Sequence, residues 1–243
     1  MTQHQGGARV AQTNTPYATP RKLRKSRPSR FAANDLEKQL GIPTRLISKR
    51  QVRKIVTVSG RGARGRFPSR KGKLIEFESL GEEDTLRVYE VASIVRKLIT
   101  QPCVLEFEAG NRYRRYTPDC LATINGIDYF VEVKAAGFQK NKRVVAHLRD
   151  VIQYMRREQL PFILIVATDV RAEGLQDELK HLLNKRARPG RFDSDIDPTL
   201  WDPLNGEYAD PGIVDRWHRA QKECNGIILR AMRRDPNSLL GAA

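Results

Sequence analysis

The chain is poor in cysteine, and the three it has, Cys103, Cys120 and Cys224, are odd in number and far apart. That excludes a disulfide framework and offers no spacing for structural zinc, so they read as reduced, small apolar residues. Long apolar runs are missing too: nothing approaches the roughly 18 residues of a membrane span, and no signal-peptide core follows Met1. No membrane partner is expected. Acidic residues are outnumbered, 28 Asp plus Glu against 44 Lys plus Arg, for a formal charge of +16. That excess points to a polyanionic partner, nucleic acid first. The deficit is sharpest from Arg45 to Lys73, where eleven basic residues meet no acid; such a stretch repels itself unless a polyanion lies near. Residues 1–30 have almost no large apolar side chains and end in Arg21, Lys22, Arg24, Lys25, Arg27 and Arg30. They are expected to form a disordered basic arm, because they cannot offset the entropy of ordering.

What is present gathers around YTPDCLATINGIDYFVEVK, Tyr116 to Lys134. An Asn125-Gly126 pair between alternating apolar runs is a strong hairpin signal. On the second strand Glu132 and Lys134 share a face with Phe130, opposite Val131 and Val133, and Asp119 stands at the start of the first strand. The ordinary explanation of two charges on one face is a wet sheet surface. Phe130 on that face and the apolar Val131 and Val133 argue instead for half-buried charges, which are costly unless something binds there. Two carboxylates beside a lysine suit metal-assisted phosphodiester hydrolysis. The carboxylates give hard oxygen ligands for Mg2+, and the ammonium orients the attacking water or offsets charge developing at phosphorus.

Pro118-Asp119 followed by Glu132-Val133-Lys134 resembles the PD-(D/E)xK motif of restriction enzymes, resolvases and repair nucleases. A wider set narrows it: Gly65-Arg66-Phe67, Ser69 to Lys73, Glu78-Ser79-Leu80-Gly81-Glu82, Gln101-Pro102, Arg115-Tyr116-Thr117-Pro118-Asp119 and Val131-Glu132-Val133-Lys134. Together, over about residues 61–170, these resemble the endonuclease domain of the TnsA family of transposon endonucleases. The resemblance implies an α/β, restriction-endonuclease-like αβββαβ core with a mixed central sheet. It also implies a catalytic set of Glu82, Asp119, Glu132 and Lys134, with Glu82, Asp119 and Glu132 as ligands for Mg2+ and Mn2+ as a substitute. Read alone, Ser79-x-x-Glu82 is a capping box, with Glu82 as a helix cap; the catalytic role comes from the resemblance, and Glu83 stays open as the neighbour. Gly81 departs from the family, where a larger apolar residue is usual. The implied partners are double-stranded DNA, a transposase subunit and a regulatory ATPase, in the cytoplasm of a prokaryote at the nucleoid.

Around this centre the chain divides into residues 1–30, a basic DNA-contacting segment 31–75, the endonuclease core 76–187, and a linker with a helical C-terminal extension 188–243. In the second segment Asn34-Asp35 suggests a cap for a short helix ending before Pro43, and Ile55–Val58 suggests a strand. The candidate DNA contacts are Arg61, Arg64, Arg66, Arg70 and Lys71, then Lys140, Lys142 and Arg143 at the start of a basic helix after the ExK strand; phosphate contacts of this kind give affinity without sequence information. A helix is expected from Ser79 to about Gln101-Pro102, carrying Leu86, Tyr89, Val95 and Leu98-Ile99 at helical spacing. A hairpin covers Val104–Glu108 and Tyr113–Tyr116, with Arg112, Arg114 and Arg115 on its wet face. The helix of about Lys140–Glu158 has His147 exposed and Gln153 and Tyr154 as candidates near the site. PFILIVAT, Pro161–Thr168, reads as a buried central strand, and Asp169 as the cap of a helix from about Ala172 to Asn184. Asp210-Pro211 opens a final helix ending before Pro236; packing on the core and partner binding are both open for it. The reading is a Mg2+-dependent endonuclease subunit cutting the 5′ strands at transposon ends. Its rivals are a stand-alone nuclease of restriction, resolvase or repair type, and a non-catalytic DNA-binding adaptor.

Overall fold

The structure is a computed structural model and describes residues 63–186, 203–204 and 209–241. The basic arm 1–30, Arg61, the Asn34-Asp35 cap, the Ile55–Val58 strand and most of the 188–210 linker lie outside the described residues. The Asn125-Gly126 turn forms as expected: both residues have positive φ, 50° and 84°, which is the turn whose twist matches a hairpin. It joins β6 (Cys120–Ile124) to β7 (Ile127–Lys134) with Ile124 opposite Ile127. On the far side of β6 lies β3 (Val95–Thr100), also antiparallel, and beyond β7 lies β8 (Phe162–Val166), which runs parallel to it. The sheet is therefore mixed, in the order β3-β6-β7-β8. The parallel step from β7 to β8 needs a crossover, supplied by α2 (Lys142–Arg157).

Helices cover both faces. Ala122, Ile124, Val131, Ile163 and Ile165 turn to one side, against α1 (Leu80–Val91), α3 (Leu175–Lys185) and α4 (Pro211–Arg233). Leu121, Phe130, Leu164 and Val166 turn to the other, where α2 presents Leu148, Val151, Ile152 and Met155. Being buried on both faces explains why β8 is apolar without alternation. It is the last strand of the sheet order, not a central one, and its burial comes from the cores on its two faces. Two further hairpins lie among the described residues. β1 (Gly65–Ser69) pairs with β2 (Lys73–Phe77) and adds Phe67, Ile75 and Phe77 to the first core. β4 (Leu105–Ala109) pairs with β5 (Arg112–Tyr116) as a separate ribbon inserted between β3 and β6. With the β4–β5 ribbon set aside, the order α1-β3-β6-β7-α2-β8 is helix, three strands, helix, strand.

Three expectations are corrected. The helix that opens at Ser79 ends at Val91, and Val95–Thr100 is a strand. A register shift between Val95 and Lys97 lets Val95 and Leu98, three residues apart, both enter the first core; a bulge had given a strand the spacing of a helix. Asp169 does not cap α3, which begins at Leu175 behind Gly174. Its carboxylate accepts from the Val166 N–H and pairs with Arg234, 2.6 Å away, at the end of α4. Val104 stays outside β4. For the last helix, Asp210 caps α4 through the Gly212 and Ile213 N–H groups, and Ala220, Cys224, Ile227, Ile228 and Ala231 are buried in the same core as Tyr89 and Leu179. All three cysteines are free and buried. Burial pushes the Cys103 and Cys224 thiols up to about 12 and raises that of Cys120 as well. A buried ion pair ties three elements together: Arg186, just past α3, donates to Glu90 of α1 at 2.5 Å and to the Pro68 carbonyl of β1 at 3.0 Å. No helix among the described residues is long and apolar enough to cross a membrane.

Candidate active site

Alternation along β7 sends Tyr129, Val131 and Val133 toward the first core and Phe130, Glu132 and Lys134 to the opposite face. Glu132 is only 5% exposed and Lys134 is half-buried, so this is not a wet face. Asp119 arrives just before β6. Its carbonyl accepts from the Gln101 N–H at 2.9 Å, and its carboxylate accepts from the Val133 N–H at 2.8 Å, across the gap between Glu132 and Lys134. Lys134 pairs with Glu132 Oε1. Glu132 Oε2 accepts from the Tyr116 hydroxyl at 2.6 Å.

Glu82 comes from the first turn of α1. Ser79 is the N-cap and accepts from the Glu82 N–H at 3.2 Å, while its hydroxyl donates to Glu82 Oε1 at 3.0 Å. Glu82 Oε2 reaches back to the Glu78 N–H at 2.9 Å. Capping and membership of the acidic group therefore coexist in one side chain. Glu83 turns the other way and pairs with Arg87. It lines a charged cleft with Asp84, Arg87, Arg171 and Lys180 that includes none of Glu82, Asp119, Glu132 and Lys134.

The charges of these four groups act on one another. Burial pushes the Asp119 carboxyl well above the ordinary carboxylate range; Glu132 adds to the push, Lys134 opposes it, and Glu82 reinforces it. Glu82 is raised by burial first, against its bonds to Glu78 and Ser79 and with the help of Glu78 and Glu132. Burial works against the Lys134 ammonium, yet Glu132, Asp119 and Glu82 together hold it above its ordinary value. Three acids gather around one lysine, and burial together with their mutual repulsion raises Asp119 and Glu82. The carboxylates are nonetheless turned to protein donors, and among the described residues no three acidic, histidine or cysteine side chains are arranged to hold a metal ion. Carboxylates are hard oxygen groups of the type that Mg2+ takes, by residue type alone.

Of the expected DNA contacts, Lys140, Lys142 and Arg143 are exposed where β7 hands over to α2, with no ion pair among the described residues. Arg64, Arg66 and Arg70 are exposed on the β1 side, Arg66 at 3.4 Å from Glu76. Lys71 is a correction. Its ammonium turns inward and donates to the Tyr89 and Ala92 carbonyls at 2.7 and 2.5 Å, closing the end of α1, and burial lowers it to about 8. Gln153 is exposed, and Tyr154 stacks on Phe107 at 4.4 Å, so neither joins the acidic group. The sequence reading missed two residues that do border it. Tyr116 is buried, and its hydroxyl is raised well above its ordinary value by burial, then by Glu132 and Asp119, which keeps it a donor. His147 is half-buried, not exposed, and meets the Tyr116 ring edge-on at 6.0 Å. Burial lowers its imidazole, and the charge of Glu132 works the other way. The available signal was its spacing, three residues after Val144 and four before Val151 on the apolar stripe. Neither the family models nor the curated proteins compared with this chain give a match.

Proposed function

We propose that this chain is a Mg2+-dependent DNA endonuclease of the PD-(D/E)xK kind on a restriction-endonuclease-like core, acting as the TnsA-type subunit of a heteromeric transposase that cuts the 5′ strands at transposon ends. The observation that carries the reading is the meeting of Glu82, Asp119 and Glu132 with Lys134 at one end of a mixed sheet, beside an exposed basic helix start. Glu82, Asp119 and Glu132 would hold the ion, with Mn2+ as a substitute. When bound, it supplies Lewis acidity to the scissile phosphate and makes water a stronger nucleophile at neutral pH. Lys134 orients the attacking water and balances charge on the phosphorus oxygens, a role open to a flexible ammonium held among acids. Lys140, Lys142 and Arg143 grip the backbone without reading its sequence. The choice of ends and the cutting and joining of the 3′ strands then fall to the transposase subunit and its regulatory ATPase.

The test is nicking of supercoiled DNA in Mn2+, with duplex binding measured on the same samples. Wild-type protein should nick; Asp119→Ala and Lys134→Ala should lose at least about a hundredfold in rate and still bind. Full cleavage by either variant would remove the assignment, and cleavage at transposon ends only with the partner subunits present would locate the protein in its assembly.

A further inference from the structure

β8 is the last strand of its sheet, so one of its edges has no neighbouring strand among the described residues. On the other edge the Pro161 carbonyl accepts from the Phe130 N–H of β7 at 2.9 Å. Backbone groups of successive strand residues alternate between the two edges, so those of Phe162, Leu164 and Val166 point away from β7. Two of these groups are engaged by side chains. The Leu164 carbonyl accepts from the Arg234 guanidinium at 3.1 Å, and the Val166 N–H donates to Asp169 Oδ2 at 3.0 Å. Arg234 and Asp169 are themselves paired at 2.6 Å. A carbonyl and an N–H two residues apart are what an added strand would engage with its own backbone. One ion pair thus stands where a residue of a fifth strand would stand. The chain that carries Arg234 also passes around this edge. α4 ends at Arg233 on the face of Ile163 and Ile165, and the Pro236–Leu240 turn follows with Leu240 buried on the opposite face, in one cluster with Leu148, Leu164 and Val166. Between them Asp235 caps that turn through the Asn237 N–H at 2.8 Å and pairs with Arg156 of α2 at 2.5 Å.

We propose that Arg234–Leu240 is an edge strap: by filling the place of a fifth strand it keeps β8 from pairing with β8 of a second copy of this chain. The occupant follows from the strand itself. β8 reads FILIV, and no charge falls between Pro161 and Thr168. Uncharged strands rich in β-branched residues pair readily with their own like when an edge is open, and the usual blocks, an edge lysine or an inward charge, are missing from Phe162–Val166. Two identical strands set antiparallel close a two-fold dimer that offers the same groups on both sides. The strap is independent of the nuclease reading, since it lies on the free edge of β8 and uses none of Glu82, Asp119, Glu132 and Lys134.

The experiment is sedimentation equilibrium of the full-length protein over a range of concentrations, with hydrogen exchange read on the β8 peptide and a thermal melt of each variant. It compares wild type, Arg234→Ala and the double variant Arg234→Ala/Leu240→Asp. Arg234→Ala frees the Leu164 carbonyl and leaves the apolar cores as they are; Leu240→Asp also drives the turn off the second face of the sheet. Wild type should keep the mass of one chain. In the variants the mass should rise with concentration toward two chains, at lower concentration in the double variant, and β8 exchange should slow as the dimer forms. Variants that stay single at every concentration would overturn the proposal. So would a dimer whose formation leaves β8 exchange unchanged, or wild type that self-associates as strongly as the variants. If the double variant melts without cooperativity, Arg234→Ala alone decides on the same two readings.

Discussion

Glu90 and Asp119 are both acids drawn out of water, and their neighbours send them in opposite directions. Burial alone would raise Glu90, but the Arg186 guanidinium, the Ser69 hydroxyl and the Arg70 N–H outweigh it and hold the carboxyl below its ordinary 4.5. Asp119 has two other acids for company and is pushed up. The first pattern belongs to a structural ion pair and the second to a cluster of acids that repel one another. Glu90→Gln leaves Arg186 buried without a counter-charge and should cost about 3–5 kcal/mol in urea unfolding at neutral pH. Because the folded value of Glu90 lies below the unfolded one, its contribution is complete above pH 4.5 and fades as the pH falls through the folded value. The acid limb of the stability curve should therefore be shallower in Glu90→Gln than in wild type. A parallel acid limb in the two proteins would contradict this account of Glu90.

Elements were legible where local chemistry and burial agreed. The Asn125-Gly126 turn, the Ser79 and Asp210 caps and the apolar stripe of α2 each announce themselves within a few residues. β3 was not legible, because a bulge changed its spacing, and neither was the start of α3, because Asp169 answers to Arg234, 65 residues away. Such a partner has no local trace. Helix α4, left open between a core element and a partner surface, packs against α1, α3 and β8. Ending the chain before Pro211 would strip Ala220, Cys224, Ile227 and Ile228 from the core that holds Tyr89. A chain so shortened is expected to lose cooperative thermal unfolding and its near-ultraviolet circular dichroism. A cooperative melt would show that α4 is dispensable to the fold.

On the proposed reading, the charge of +16 across the whole molecule makes DNA affinity a matter of counterions. Replacing Lys140, Lys142 and Arg143 by alanine should lower the slope of log affinity against log salt by roughly 0.9 for each phosphate that is no longer neutralised. Adding Lys71→Ala should leave the slope unchanged, since that ammonium lies on the Tyr89 and Ala92 carbonyls. An undiminished slope in the triple variant would move the duplex to another face. The candidate acids and Lys134 were readable because motif spacing carries them. Tyr116 and His147 were not, because they reach Glu132 and one another only when the hairpin and α2 are folded against the sheet.

The three buried thiols lie on separate elements: Cys103 in the second core under the β4–β5 ribbon, and Cys120 at the start of β6 and Cys224 on α4, both in the first core. With Cys103 and Cys224 raised to about 12, and Cys120 raised too, none offers much thiolate to an alkylating reagent while its surroundings stay closed. The native chain thus carries its own clocks. The rate at which each sulfur is alkylated, read by mass spectrometry, times the opening of the second core through Cys103 and of the first through Cys120 and Cys224, with no label introduced.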